Sequence, residues 1–193
     1  NRWRVELDTG EDENLEVRAR AIVNAAGPWV SSVLTNVLGT NTSTSVKLVR
    51  GSHIVLPRLY DGDHAHILQA DDSRVVFVMP FEGVFSLIGT TDVEVDAEED
   101  GRIEPPHIDE AESVYLCDTV NQYFEKQISP KDVVWSFSGV RPLYDDGSGD
   151  PSQITRDYVL EVDAPKGEAP LVSVFGGKVT TARKLAETVL SRL

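Results

Sequence analysis

The chain has 193 residues, 40% of them hydrophobic. That is enough for one ordinary domain, or one compact domain plus a piece of another, and it excludes wholesale disorder. With 32 acidic against 18 basic residues the formal charge is −14; nucleic acid and an anionic lipid surface both need clustered Lys and Arg, so neither is an expected partner, and the acidity reads as a solvated surface.

Asn1-Arg2-Trp3-Arg4 is neither an initiator methionine nor a signal peptide; it reads as a strand already under way and implies a piece of a longer protein. Val5-Glu6-Leu7 and Leu15-Glu16-Val17 alternate on either side of a polar turn, so a hairpin with water on one face is expected. Residues 21–27 form an apolar strand ending in Ala25-Ala26-Gly27. Pro28-Trp29 then opens a short helical stretch to about Leu38, with Val30, Val33, Leu34 and Leu38 on one stripe. The Thr-, Ser-, Asn- and Gly-rich run 39–45 marks a boundary. Beyond it, strands are expected over 47–50, 53–56, 66–69, 74–79 and 85–90, the last two joined by the Phe81-Glu82-Gly83 turn. Asp109 and Glu112 resemble a capping box ahead of a helix that carries Leu116, Val120, Tyr123 and Phe124 to about Lys126. Strands over 133–140, 155–162 and 171–175 follow. Ala182, Leu185, Ala186, Val189, Leu190 and Leu193 repeat at helical spacing at the end. Many strands and three helices without regular βαβ alternation give an α+β class with a mainly antiparallel sheet. The lone Cys117 excludes a disulfide framework, and no run reaches the ~18 apolar residues of a spanning helix.

Three places could carry chemistry. In Val172–Thr181 a buried strand runs into Gly176-Gly177, then Lys178 and a helix start that Thr180 or Thr181 could cap. Paired glycines let backbone approach a ligand, and free N–H groups at a helix start suit an anion. A plain strand-to-helix turn explains the pattern about as well. Lys178 tips the balance, because a cation there opposes the macrodipole by roughly 0.3–1 kcal/mol unless an anion compensates it. The second place is Ser138–Leu143 with Ile154–Tyr158: if these flanks pair as a hairpin, Arg141 and Arg156 emerge together, suited to a phosphate or carboxylate. Pairing with Asp145, Asp146 or Asp157 is the plainer alternative. The third is Arg50-Gly51-Ser52-His53, where His53 enters an apolar strand as a base, a substrate donor or a structural histidine. His64 and His66 share a strand face without a third ligand, so no metal site is expected.

These segments resemble a known family. Ile22-Val23-Asn24-Ala25-Ala26-Gly27-Pro28-Trp29 is similar to the segment that closes over FAD in glutathione-reductase-like flavoproteins. Gly51-Ser52-His53-Ile54-Val55, Ile88-Gly89-Thr90-Thr91-Asp92, Ser138-Gly139-Val140-Arg141-Pro142, Ile154-Thr155-Arg156-Asp157-Tyr158 and Phe175-Gly176-Gly177-Lys178-Val179-Thr180-Thr181 follow in the order seen in FAD-dependent glycerol-3-phosphate dehydrogenases. The resemblance spans nearly all of the chain from residue 20; each piece is weak alone, and five in order are highly specific. It implies a substrate domain over 46–165, mainly an antiparallel sheet with a helix packed on it. Segments of a glutathione-reductase-like FAD domain would flank it over 1–45 and 166–193. It also implies that the GxGxxG βαβ unit, a C-terminal helical domain, and an arginine with its neighbouring aromatic lie outside these residues.

The resemblance further implies oxidation of glycerol 3-phosphate to dihydroxyacetone phosphate, with FAD reduced and electrons passed to a quinone. His53, Arg141 and Lys178 then stand at catalytic positions, His53 as base or binder. Arg141 would hold substrate near the flavin, Arg156 its phosphate, and Lys178 either substrate or the flavin edge. Ala26, Gly27, Trp29, Gly177, Lys178, Val179 and Thr180 would face FAD. The implied setting is cytoplasmic, with peripheral membrane association at the cytoplasmic face only through the full-length protein, and a homodimer compatible with it. Two alternatives stay open: a glycerol-3-phosphate oxidase or other FAD-dependent oxidase of the superfamily, and a non-catalytic module that binds phosphorylated ligands or a partner protein. The chain alone is expected neither to retain FAD nor to turn over.

Overall fold

The computed structural model describes residues 1–10, 15–40, 44–98, 101–145 and 157–193. The chain divides into two units, one comprising Asn1–Lys47, Pro142–Ser148 and Ile154–Leu193, the other Leu48–Arg141 and Gly149–Gln153.

In the first unit, β1 (Trp3–Leu7) pairs antiparallel with β2 (Leu15–Ala19), Trp3 opposite Ala19 and Leu7 opposite Leu15. The expected hairpin forms, but Leu7, Leu15 and Val17 stay exposed, so water reaches both of its faces. A three-stranded sheet with β11 (Leu171–Gly176) between β10 (Tyr158–Asp163) and β3 (Ile22–Asn24) carries the core. In it β11 runs antiparallel to β10 and parallel to β3. Residues 171–175 are all buried because both faces of β11 are covered. Leu171 and Phe175 pack with Val30 and Leu34 on one side, while Val172 and Val174 meet Val189 and Leu185 of α3 (Ala182–Leu190) on the other.

The stretch after Pro28 is helical as expected, yet not one α-helix. A 3-10 turn over Gly27–Trp29 passes into a single α turn, α1 (Val30–Ser32), then a π turn over Val33–Val37. The wider final turn closes with Leu38 N–H donating to the Val33 carbonyl at 3.0 Å.

The second unit is a six-stranded sheet built around β4 (Val46–Pro57). The order is β5 (His66–Gln69), β6 (Val75–Phe81), β7 (Phe85–Gly89), β4, β8 (Val93–Val95), and β9 (Trp135–Tyr144) also pairs with β4. Two strands were expected over 47–56, broken at Gly51-Ser52; the chain instead runs through both as one strand of 12 residues. Helix α2 (Glu110–Asn121) begins at the expected capping box: Asp109 Oδ1 accepts the Glu112 N–H at 2.8 Å, and Glu112 Oε2 accepts the Asp109 N–H at 3.1 Å. It ends five residues short of Lys126, and Asn121 turns the exit by donating its side-chain amide to the Ile128 carbonyl. Leu116, Cys117 and Val120 of α2 bury against Ile54, Leu56, Leu68, Val76, Val78 and Ile88 of the sheet. Each such side chain contributes about 1.5–3 kcal/mol. One face of this sheet is thereby sealed under α2, and period-2 alternation sends Gly51, His53 and Gly89 to the other. Among the described residues no helix is long and apolar enough to cross a membrane.

Candidate functional site

On the open face of the six-stranded sheet, His53 of β4 lies in register with Gly89 of β7. Its imidazole rests on the bare backbone there: a Cβ on Gly89 would come within 2.1 Å of His53 Cδ2. The other side of the ring stacks on Phe137 of β9, centroids 4.8 Å apart and planes 5° from parallel. Two residues back, Gly51 makes room for the Arg141 guanidinium, whose Nη2 would lie 2.1 Å from an added Cβ. Gly51 is therefore a space requirement for Arg141, which explains why the strand continues through it.

Arg141 is held by the segment after β7. Its Nη1 donates to Asp92 Oδ1 at 2.8 Å and to the Thr91 carbonyl at 3.3 Å, and its Nη2 donates to Thr90 Oγ1 at 2.6 Å. Asp92, 49 residues away in sequence, is thus a carboxylate partner of Arg141, and Asp146, one of the partners expected from sequence, lies outside the described residues. The pair is largely shielded, with side chains 26% and 15% exposed, so the guanidinium is a fixed cation.

Burial, and then the positive charge of Arg141, push the His53 pKa below its usual 6.5. Its imidazole is neutral at neutral pH and able to accept a proton. Nδ1 is buried with no hydrogen-bond partner among the described residues, a state that costs about 1–3 kcal/mol until a partner arrives. Phe77, Trp135 and Phe137 are part-exposed hydrophobics of strands β6 and β9, and an apolar rim of this kind strengthens polar interactions beside it. The arrangement can therefore orient an anionic or hydroxylated ligand through a fixed cation and take a proton from it. Asp92, Thr90, Phe137 and the two space-making glycines were not singled out as site residues from sequence. The run Ile88–Asp92 and the Gly51-x-His53 alternation were the available signals.

The remaining candidates lie in the first unit. Gly176 and Gly177 both adopt left-handed backbone, φ +74° and +95°, which a side chain would strain. A Cβ on Gly176 would also press on the Asp157 carbonyl at 2.9 Å. The pair turns β11 into a 3-10 turn over Val179–Thr181 and then α3. No side chain caps this start. Thr181 Oγ1 instead donates to the Lys178 carbonyl at 3.1 Å, a correction to the expected threonine cap, since a donating hydroxyl leaves the first N–H groups unmet. Lys178 is exposed, and among the described residues no carboxylate pairs with its ammonium. The turn at Ala25-Ala26-Gly27 is shaped by buried Asn24, whose amide donates to the Val30 carbonyl at 3.0 Å while its Oδ1 accepts the Ala26 N–H at 3.4 Å. Trp29 is half exposed. A glycine-relieved turn opening on unmet helix N–H groups fits the electron-rich edge of a flavin. Arg156 lies outside the described residues, and β9 and β10 pair with β4 and β11, respectively.

Comparison with known proteins bears on both regions. The family model described as FAD dependent oxidoreductase matches residues 1–183. D-erythritol 1-phosphate dehydrogenase of Brucella abortus is 50% identical over 99% of the chain. The glycerol-3-phosphate dehydrogenase of Pseudomonas aeruginosa and the aerobic glycerol-3-phosphate dehydrogenase of Escherichia coli are each 47% identical, again over 99%. The chain spans only 36–38% of the length of these three relatives. The crystal structure of glycerol-3-phosphate dehydrogenase from Bacillus halodurans, complexed with FAD, superposes with a TM-score of 0.74 at 27% identity, over 98% of this chain and 35% of that one.

Proposed function

The chain belongs to the FAD-dependent oxidoreductase family, and from that premise we propose that it is part of a longer dehydrogenase that oxidises a polyol phosphate, glycerol 3-phosphate first among them, to the corresponding ketone. The observation that carries the proposal is the pairing of a half-buried, proton-accepting His53 with the anchored Arg141 on one sheet face. Relatives at 47–50% identity named as polyol-phosphate dehydrogenases support it. When bound, FAD supplies the acceptor for the hydride that leaves the carbinol carbon.

His53 takes the proton of the reacting hydroxyl, which must leave as the carbon gives up its hydride. Its depressed pKa keeps the lone pair available near neutrality. Arg141 holds an oxygen of the substrate, and its clamp of Asp92 and Thr90 means that little ordering remains to be done on binding. Arg156 is assigned to the phosphate on its place in the family pattern, and Lys178 to the substrate or the flavin edge. Gly177, Lys178, Val179 and Thr180 would offer backbone N–H groups and a partial positive charge to the flavin ring. Ala26, Gly27 and Trp29 would line its other contact. In this reading a quinone is the final electron acceptor, and the full-length protein, as a homodimer, meets the membrane peripherally on its cytoplasmic side.

Identity with D-erythritol 1-phosphate dehydrogenase at 50% favours a second reading, in which a four-carbon polyol phosphate is the preferred substrate. Anaerobic reduction of the full-length holoenzyme separates the two. Loss of oxidised-flavin absorbance with glycerol 3-phosphate at low concentration supports the first, and loss only with D-erythritol 1-phosphate supports the second. A flavin that neither substrate reduces contradicts both.

A further inference from the structure

Glu112 lies on the α2 side of the sheet, 5% exposed, and none of the roles above uses it. A buried carboxylate is costly unless its lone pairs are met, and this one is met by four residues on three segments. Oε2 accepts the Asp109 backbone N–H at 3.1 Å and lies 2.8 Å from Arg50 Nη2. Oε1 accepts Ser52 Oγ at 2.8 Å and Thr91 Oγ1 at 2.5 Å. Because a carboxylate only accepts, the remaining directions follow. Ser52 Oγ commits its hydrogen to Glu112, so the Ser138 hydroxyl, 2.8 Å away, donates to Ser52. Thr91 Oγ1 likewise donates to Glu112 while it accepts the Ser52 N–H at 2.9 Å.

Each anchored residue is a sequence neighbour of a group on the open face. Ser52 sits between Gly51 and His53. Ser138 follows Phe137, the ring stacked on His53. Thr91 sits between Thr90 and Asp92, which hold Arg141. Capping α2 needs only the bonds exchanged with Asp109 and leaves those to Ser52 and Thr91 without a purpose. We propose that Glu112 is a positioning residue for the site, fixing β4, β9 and the 90–92 segment from the far side of the sheet so that His53 stays stacked on Phe137 and Arg141 stays over Gly51.

The test uses the 193-residue chain itself and does not depend on the enzymatic reading. The titration of His53 is followed by the NMR signals of its ring, assigned by their loss in His53→Asn. Among the described residues Arg141 is the charged group acting on this imidazole. In Glu112→Gln, which turns an amide toward converging donors, the midpoint is expected to rise toward about 6.5 and the ring-current shift from Phe137 to shrink. Asp109→Ala removes the helix cap and one carboxylate partner of Arg50, whose contact with Glu112 remains, and is expected to leave both where they are. If circular dichroism shows Glu112→Gln unfolded, Ser138→Ala decides, with a smaller shift of the same sign expected. Superimposable His53 titrations in folded Glu112→Gln, or in Ser138→Ala, overturn the proposal, as does an equal shift in Asp109→Ala. A second arm, which rests on the proposed function, measures kcat/KM of the full-length holoenzyme for glycerol 3-phosphate. We expect a loss of about tenfold or more in Glu112→Gln and no more than about twofold in Asp109→Ala; equal losses overturn the proposal. A wild-type enzyme that fails to turn over counts against the function alone and leaves the NMR arm standing.

Discussion

At the residue scale the proposed chemistry rests on two side chains in prepared seats. His53 lies between the bare backbone of Gly89 and the ring of Phe137, and Arg141 lies over Gly51 with Asp92 at 2.8 Å. Burial and Arg141 both lower the His53 pKa, so the folded chain binds fewer protons at this residue than the unfolded one. The unfolded chain holds the extra proton between the depressed value and about 6.5, so stability from this group rises with pH through that window and is lost as pH falls through it. In the full-length holoenzyme, the acid limb of kcat/KM is therefore expected below about 6.5, measured as a pH profile with glycerol 3-phosphate. Arg141→Met should move what activity remains upward in pH, since it removes the second cause of the depression. Of this site His53 and Arg141 were legible in the sequence as candidates, each with a plainer structural reading beside it, and their roles came from the family resemblance. Asp92 as the partner of Arg141 was not: the two are 49 residues apart, and no local periodicity reports a contact of that range. The place of Arg156 lies outside the described residues.

At the element scale, β4 and α2 do most of the positioning. The break expected at Gly51-Ser52 came from treating glycine as punctuation, whereas its missing side chain serves a cross-strand arginine within an unbroken strand. Gly51→Ala and Gly89→Ala should both fold with a displaced Arg141 or His53, because each added Cβ falls about 2.1 Å from the side chain it faces. Histidine NMR of the two variants would register the displacement. The capping box of α2 could be read from Asp109 and Glu112 alone, since its spacing is local. The ties of Glu112 to Ser52 and Thr91 could not, since they are tertiary. Asp109→Ala is expected to cost about 1 kcal/mol in chemical denaturation. Cys117 of the same helix has its pKa raised to about 11, by burial first and then by Asp118 and Asp132. It should resist thiol reagents in the native chain near pH 8 and react once denaturant is added; rapid labelling of the native chain would contradict its burial.

At the scale of the whole molecule, composition spoke for class and charge and stayed silent on chemistry. The mainly antiparallel α+β character followed from strand density, and the parallel pairing of β3 with β11 was invisible because it joins segments nearly 150 positions apart. The short strand β8 was missed for a related reason: three residues give no periodicity to read. GxGxxG, the usual cradle of a dinucleotide pyrophosphate, is absent from the 193 residues. The residues assigned to flavin offer turn backbone, helix N–H groups and the Trp29 and Lys178 side chains without that cradle, so the chain alone is expected to purify colourless and to leave the fluorescence of added FAD unquenched. A yellow chain with stoichiometric flavin would contradict that expectation.

The most direct measurement of the central claim is kcat/KM for glycerol 3-phosphate in the full-length holoenzyme with an artificial electron acceptor, wild type against Arg141→Ala at matched flavin content. Losing a shielded charge contact to substrate should cost about 2–5 kcal/mol, roughly 30-fold or more in kcat/KM. A loss of that size, with flavin content unchanged, is the expected result. An Arg141→Ala enzyme as efficient as wild type would contradict the assignment of this sheet face as the substrate site.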